Sequence, residues 1–133
     1  MTHRALEPEG WPSPKGYSNG VLAKGTMIVL AGQIGWNPAT GLFDTDDFVL
    51  QVRQALANVA TLLAHAGAEP RHLVRLTWFI TDRDAYIAAR REIGVAYRDV
   101  MGRNYPPMSV VVVSALIEAR ALVEIEATAL LPS

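Results

Sequence analysis

The stretch from Asn104 to Val113 constrains the fold more than any other, because two prolines lead into a run of four valines. Pro106 and Pro107 hold the backbone extended and have no N–H for a strand ladder, so they mark an element boundary. The β-branched valines leave no polar side, which predicts a strand covered on both faces. Met108 and Ser109 follow the prolines and are expected at the mouth of any cleft there. The alternative is a central strand without a functional role.

The whole pattern predicts an α+β domain over residues 1–133, with element order β-β-α-β-α-β-β and two helices on one face of a mixed sheet. Residues 1–16 contain three prolines and two glycines and are expected to form an irregular arm, pinned by Trp11. Short strands at 17–23 and 26–31 are predicted to pair as a hairpin.

Both helices are predicted from apolar residues at three- and four-residue steps. The first follows a group of candidate N-caps at 44–47, and Gly67 is the expected stop. The second begins after Asp82 or Asp84 and ends at Gly102. The apolar stripe of the first helix consists of Phe48, Val52, Ala55, Leu56, Val59, Leu62, Leu63 and Ala66.

Two further strands are predicted from strict alternation of side chains. The segment 72–81 places one apolar set on a single face, and 121–130 does the same. Glu124 and Glu126 occupy the opposite face of the second segment. The apolar sets are Val74, Leu76, Trp78 and Ile80 in the first, and Val123, Ile125, Ala127 and Ala129 in the second.

Composition excludes several classes of function. The formal charge of −1 offers no basic patch for nucleic acid. The absence of cysteine excludes disulfides and thiolate catalysis. The N-terminus lacks a signal peptide and no apolar run could cross a membrane, so a cytoplasmic protein is expected. Only 19% of the residues are charged, which favours burial of surface between copies of the chain.

Candidate chemistry centres on carboxylates and arginines. The three histidines lack metal-ligand spacing, so no metal site is predicted. Glu124 lies within a strand, where it either faces solvent or lines a cleft suited to proton transfer. Four arginines could supply a fork for a substrate carboxylate, the alternative being solvated surface charges. These arginines are Arg90, Arg91, Arg103 and Arg120.

Several short motifs resemble those of the RidA family (YjgF, reactive intermediate deaminases), and they span the chain from about residue 16. The resemblance implies a chorismate-mutase-like subunit and a homotrimer with ligand clefts between neighbouring subunits. It also implies hydrolysis of small enamine or imine metabolites without a metal or organic cofactor. The matching stretches are 16–20, 31–34, 37–38, 40–41, 54–58, 66–67, 105–106 and 123–127.

The resemblance also implies roles for single residues. Tyr17 matches the family tyrosine at the cleft, and Glu124 matches the glutamate that positions or activates the attacking water. Gly32 and Gln33 match a Gly-Gln turn. Ala31 stands where many members have a serine, and is expected with them among the substrate-binding residues.

Met108 is the main departure from this pattern. Deaminating members have Ala-Arg-Ser after the Tyr/Phe-Pro motif, and the arginine holds the substrate carboxylate; here the letters are Pro107-Met108-Ser109. Val110 replaces a frequent cysteine, and Arg90, near an asparagine position of the family, could supply the missing positive charge.

Three functions remain open at this point. The first is a hydrolase acting on a less polar or differently anchored imine, enamine or related C–N substrate. The second is a trimer that binds an apolar-tailed metabolite without hydrolysing it. The third is a ribonuclease, for which the chain offers neither a basic patch nor a histidine pair.

Overall fold

The computed structural model describes residues 2–132, so both ends of the expected 1–133 domain lie outside the described residues. Within that range the chain forms six strands and three α-helices. In chain order they are β1 Arg4–Ala5, β2 Val21–Leu22, β3 Thr26–Ile34, α1 Phe48–His65, β4 Leu73–Ile80, α2 Arg83–Ala88, α3 Arg90–Met101, β5 Met108–Val112 and β6 Val123–Leu131.

Four strands build a mixed sheet in the order β3-β6-β4-β5. The β3/β6 and β6/β4 pairs are antiparallel, whereas β4 and β5 are parallel. The helices α1 and α3 cover one face, and the other face, here called the open face, carries no helix among residues 2–132. The α+β class and the mixed sheet predicted from the sequence are therefore confirmed.

The core lies between α1, α3 and the covered face of the sheet. The predicted apolar sides of β4 and β6 are largely confirmed, since Leu76, Trp78 and Ile80 are buried together with the alternate residues of β6. Asp47 caps α1 by accepting a hydrogen bond from the Leu50 N–H at 2.9 Å. Each fully buried Leu or Ile side chain stabilises this layer by roughly 1.5–3 kcal/mol.

The predicted hairpin of residues 17–23 and 26–31 is wrong. The strand β2 pairs with β1, with Arg4 opposite Leu22, whereas β3 runs along β6. Gly25 has φ +150°, and a Cβ on it would lie 1.9 Å from the Leu131 carbonyl oxygen. The glycine therefore lets the chain pass close to the end of β6, instead of making a hairpin turn.

The N-terminal arm also differs from expectation. Part of it forms β1, and Trp11 is 61% exposed and does not pin the arm to this chain. The attachment comes from polar contacts instead. Thr2 donates its backbone N–H to the Arg71 carbonyl at 3.0 Å, and His3 Nε2 lies 2.9 Å from the His72 carbonyl oxygen.

The second predicted helix is two helices, because the chain breaks at Ala89 between α2 and α3. Asp82 caps α2, and Gly102, with φ +66°, ends α3 as predicted. Nothing in the residue types marks the break, since alanine is the best helix former.

The valine run is not covered on both faces in the single chain. The strand β5 lies at the edge of the sheet, and β4 is its only partner in the part of the chain that the structure describes. Val110, Val111 and Val112 are 37%, 40% and 53% exposed. The apolar pattern correctly predicted a strand, but this strand lies at the edge of the sheet and not inside it.

Candidate active site

Glu124 lies on β6 beside a bulge in the neighbouring strand. The β3/β6 register places Leu30 opposite Ala127 and Gln33 opposite Ile125. The two residues Ala31 and Gly32 therefore face a single residue of β6. Such bulges redirect side chains and occur frequently next to active sites.

The bulge brings the backbone of Gly32 against the side chain of Glu124. A Cβ built on Gly32 would lie 2.4 Å from Glu124 Oε2 and 2.6 Å from its Cδ. A glycine is needed here because any side chain would occupy the position of the carboxylate. Gly32 thus leaves the space that the Glu124 carboxylate occupies.

Replacing Gly32 with alanine is expected to displace the Glu124 carboxylate without unfolding the protein. The three atoms nearest to the new methyl group, Oε2, Cδ and Cγ, all belong to the flexible side chain of Glu124, which can rotate away. We expect any hydrolysis by wild type to fall at least tenfold, with a melting temperature within a few degrees. Gly20→Ala is the matched control, because a Cβ there also meets only a side chain, that of Leu6, and Gly20 lines neither cleft; an equal loss there would contradict this role of Gly32.

A cleft of about 530 Å³ opens beside Glu124. The bulge forms one side, and the loops before α1 and β6 form the others. Among residues 2–132 the Glu124 carboxylate has no hydrogen-bond or ion-pair partner, although the residue is half-buried. The lining residues, from which this space is called the Glu124 cleft, are Gly32, Gln33, Ile34, Trp36, Gly41, Leu42, Phe43, Glu118, Ala119, Arg120 and Glu124.

A buried glutamine that sequence reasoning missed holds the rim of the Glu124 cleft. The Gln51 Nε2 donates to the carbonyls of Thr45 and Arg120, each at 3.0 Å, and its Oε1 accepts from the Leu122 N–H at 2.9 Å. A polar residue beside Val52 on the apolar side of α1 was the available signal. A buried amide at such a position is usually hydrogen-bonded to backbone.

Arg120, predicted only as one of four possible forks, lines the Glu124 cleft. Its Nε donates to Asp46 Oδ1 at 2.9 Å, and one terminal nitrogen donates to the Phe43 carbonyl at 3.2 Å. The guanidinium also lies 5.5 Å from the centre of the Phe43 ring. These contacts fix the arginine at the cleft wall, with its charge already paired.

Met108 and Arg90 line a second cleft of about 440 Å³, called the Met108 cleft. Its floor is formed by aromatic side chains of β4, α3 and the loop before β5. Tyr17 is exposed and directly follows Lys15 and Gly16, which line this cleft. The next residue, Ser18, donates its N–H to the Pro106 carbonyl at 3.3 Å. The lining residues are Lys15, Gly16, Trp78, Tyr86, Arg90, Ile93, Gly94, Tyr97, Arg98, Arg103, Tyr105 and Met108.

Within one chain the predicted site residues are divided, since Gly32, Gln33 and Glu124 line one cleft, whereas Arg90 and Met108 line the other. Met108 pairs with Leu76 and Val110 with Trp78, which places both on the helix-covered side of the sheet. Glu124 pairs with Phe79 on the open face. Ser109, paired with Thr77, also lies on the open face.

The two clefts differ in electrostatic character. The Glu124 cleft contains two carboxylates and one arginine, whereas the Met108 cleft contains four cations and no carboxylate among its described lining residues. Burial raises the pKa of Tyr86, and the positive charge of Arg90 opposes part of that increase. Burial also raises the pKa of Tyr97, and the neighbouring Tyr105 raises it further. The hydroxyls of Tyr86 and Tyr97 therefore stay protonated at neutral pH.

The histidines take no part in either cleft. His72 is buried, and its Nδ1 accepts the Glu69 N–H at 2.9 Å. Burial and the adjacent Arg71 lower its pKa, which keeps the ring neutral. No group of three or more potential metal ligands occurs among residues 2–132, and no helix in that range has the length and apolarity to span a bilayer.

Comparison with known proteins agrees with the resemblance seen in the sequence. The family model described as Endoribonuclease L-PSP matches residues 10–131. A RutC family protein of Haemophilus influenzae is 35% identical over 129 residues, which are 97% of this chain and 98% of the relative. The chain belongs to the RidA/YjgF family. The family assignment made from the sequence is thereby confirmed.

Two further relatives extend this comparison within the RidA family. The 2-iminobutanoate/2-iminopropanoate deaminase of Capra hircus is 31% identical over 113 residues, 85% of this chain and 78% of the relative. The crystal structure of YyfB, a Rid family protein of unknown function from Yersinia pestis, superposes with a TM-score of 0.85 at 32% identity. That match covers 98% of this chain and all of the other. The chain thus has the fold of the RidA family over nearly its full length.

Proposed function

We propose that this protein hydrolyses the C=N bond of a small imine, or of an enamine through its imine tautomer, with Glu124 acting on the water. The observation that carries the proposal is the Glu124 carboxylate, which lies against the Gly32 backbone at the wall of a cleft and has no partner in the described chain. A carboxylate so placed is free to accept a proton from water. The deaminase name of the goat relative supports the same reaction class.

The proposed reaction adds water across the C=N bond. Glu124 takes a proton from the water as the water oxygen bonds to the imine carbon, and it passes that proton to the imine nitrogen. The resulting amino alcohol then loses ammonia: the hydroxyl proton passes to the nitrogen, the C–N bond breaks, and a carbonyl forms. Water and imine are consumed, ammonia and a ketone or aldehyde are released, and no electrons are exchanged.

We further propose that the working site lies between subunits of a homotrimer, with the Glu124 cleft of one copy beside the Met108 cleft of the next. Three observations support this arrangement. Met108 and Glu124 lie on opposite faces of one chain, and one cleft is acidic where the other is basic. The open face also exposes apolar side chains, including Met27 at 64% and Val29 at 70%.

Light scattering on the purified protein is therefore expected to give a mass of three chains at micromolar concentration. Val29→Glu, on the open face opposite Thr128, should shift the mass towards the monomer, because it places a charge in the proposed interface. Leu50→Glu is the control, since Leu50 is a half-exposed residue of α1 that lies away from the open face and lines neither cleft. A monomeric wild type would refute the shared-cleft arrangement.

The specificity is proposed to differ from that of members with an arginine at position 108. A methionine has no donor and no charge, so it cannot form a charge-assisted fork with a substrate carboxylate. The substrate would then be less polar, or anchored by other residues. A non-catalytic trimer that binds a small molecule is the second candidate, favoured by this same loss of the arginine.

The proposal is tested by measuring turnover of imines that an amino-acid oxidase generates in situ. A panel that ranges from small aliphatic to aromatic amino acids would generate the imines, and the rate of ammonia release above the spontaneous rate would be measured. Accelerated release from any member supports the hydrolase. Binding of these compounds without acceleration across the panel would favour the non-catalytic alternative.

A further inference from the structure

The loop between β3 and α1 gives the Glu124 cleft an accessible apolar wall, formed by Trp36, Leu42 and Phe43. Trp36 is 37% and Leu42 67% exposed, so both side chains can be reached from solvent. We propose that this apolar wall binds the side chain of the imine, and that the protein selects imines whose side chain is a branched alkyl or aromatic group. The inference rests on the proposed function, because it names the substrate class of the same site.

The residues between Trp36 and Leu42 form a tight turn that is held by its own hydrogen bonds. Asn37 donates its backbone N–H to the Leu42 carbonyl and accepts the Gly41 N–H at its own carbonyl, both at 2.8 Å. The Asn37 side-chain oxygen accepts the Ala39 N–H at 2.9 Å. Gly41 has φ +72°, a conformation that glycine adopts without strain. The turn therefore returns the chain to the cleft in a fixed shape.

Trp36 is anchored to the core through its backbone, whereas its ring stays accessible. The buried Asn58 side chain on α1 donates to the Trp36 carbonyl at 3.0 Å and to the Ile34 carbonyl at 3.2 Å. A Cβ on Gly41 would lie 3.7 Å from Cζ3 of the Trp36 ring, so the ring rests against the turn. A side chain that is already ordered loses little conformational entropy when a ligand packs on it.

The charge nearest to the apolar wall is already paired. The Arg120 guanidinium lies 5.5 Å from the centre of the Phe43 ring, and it forms an ion pair with Asp46 at 2.9 Å. It therefore supports the Phe43 ring at the cleft wall, and its charge is partly neutralised before any ligand binds. An apolar group is the ligand chemistry that this side of the cleft fits best.

The size and composition of the Glu124 cleft are those of a small-molecule site. Such sites are typically clefts of about 300–1,000 Å³ in which apolar and aromatic side chains surround a few polar groups. The Glu124 cleft has a volume of about 530 Å³ and places the apolar wall in the same space as the Glu124 carboxylate. Each methylene group that a ligand buries against such a wall tightens binding about fourfold. A methyl side chain would cover little of the wall, whereas a branched alkyl or phenyl group would cover much more.

Calorimetric titration of the full-length protein with neutral amides tests the apolar wall without requiring turnover. A primary amide has the planar geometry of an imine and is stable in water at neutral pH. The three probes are acetamide, 4-methylpentanamide and 3-phenylpropanamide. We expect the two larger amides to bind at least tenfold more tightly than acetamide. Equal affinity for all three, or no binding by any of them, would overturn the proposal.

Variants locate the side chain of the ligand within the cleft. Trp36→Ala is expected to weaken 3-phenylpropanamide binding about tenfold and to leave acetamide binding unchanged. Leu42→Ser should weaken it about threefold, and it keeps the test valid if Trp36→Ala does not fold, because Leu42 is largely exposed. Trp11→Ala is the matched control, since Trp11 is also an exposed tryptophan but lines neither cleft. An equal loss in Trp11→Ala would refute the site.

Light scattering on Trp36→Ala distinguishes a ligand-binding wall from a contact between subunits. The mass is expected to equal that of wild type, because the apolar wall faces a cleft and takes a small molecule. A fall in mass towards the monomer would show that a neighbouring copy covers the wall, and it would overturn the proposal.

Imine turnover separates this inference from the proposed hydrolysis. A flavin-dependent amine oxidase would generate imines from propylamine, 3-methylbutylamine and 2-phenylethylamine, none of which carries a carboxylate. We expect kcat/KM for ammonia release to be at least tenfold higher for the two larger imines. Tight binding of the larger amides without turnover of any imine would leave the apolar wall standing and refute the hydrolase. Turnover that does not depend on the side chain would do the reverse.

Discussion

Replacing Glu124 with glutamine is expected to abolish imine hydrolysis while the oligomeric mass and melting temperature stay nearly unchanged. Glutamine has the same shape but does not accept a proton from water at neutral pH. A positioned general base commonly contributes about 10²–10⁴-fold to a rate. Little stability should be lost, because the carboxylate has no partner in the described chain and the residue is half-buried. Ammonia release, thermal unfolding and light scattering on the same preparation measure all three quantities.

Glu126→Gln is the control for this variant. Glu126 lies two residues further along β6 and is exposed, but it does not line the Glu124 cleft. Its replacement should leave turnover unchanged. If Glu124→Gln unfolds or dissociates instead, Glu124 is a structural residue and the assignment of a catalytic role fails.

The sequence predicted elements well where one face of an element has to be apolar. The stripe of α1 and the alternation in β4 and β6 place most of the expected side chains in the core. In these elements the periodicity of the backbone itself fixes which residues share a face. Asp47 and Gly102 were likewise predictable, because caps and helix ends depend on local geometry.

Non-local choices were not predictable in the same way. The valines of β5 require apolar surroundings, but their composition does not say whether another strand or another subunit supplies them. The pairing of β1 with β2 depends on where the arm returns to the body, and the short run Val21–Leu22 carries no sign of its partner. The break at Ala89 lies between good helix formers.

The candidate site was likewise predictable in its single residues but not in their spatial arrangement. Gly32 and Glu124 could be named from motifs, yet their close contact depends on a bulge that alternation does not reveal. Gln51 was not among the predicted residues, and only the structure shows it bridging three backbone groups. The separation of Met108 from Glu124 follows from the strand register, which single residues do not encode.

Met108→Arg is expected to raise the hydrolysis of small carboxylated imines, such as those from leucine or alanine, by about a hundredfold. Removing one partner of a buried ion pair commonly costs about 3–5 kcal/mol. At about 1.4 kcal/mol per factor of ten, even the lower figure exceeds a hundredfold in rate. Wild type should therefore act on these imines very poorly, and the new arginine should restore part of the activity, provided that Glu124 supplies the chemistry.

Restoration should be partial for reasons that lie in the cleft. Met108 is half-buried and packs against the core, so the longer arginine has to leave that position and reach into the cleft. There it meets Arg90 and Arg103, whose like charges oppose it. Ala31 and Val110 also differ from the residues frequent in deaminating members.

Met108→Gln is the matched control, since it adds hydrogen-bonding groups of similar length without a charge. It should gain little activity if the carboxylate needs a charged fork. Steady-state ammonia release on wild type and both variants, with leucine- and alanine-derived imines, decides the outcome. Ready turnover by wild type would contradict the prediction and would mean that another cation of the Met108 cleft, with Arg90 the first candidate, already holds the carboxylate. Comparison of wild type with the two Met108 variants thus shows whether the charge at position 108 or the arginines of α3 determine the specificity for carboxylated imines.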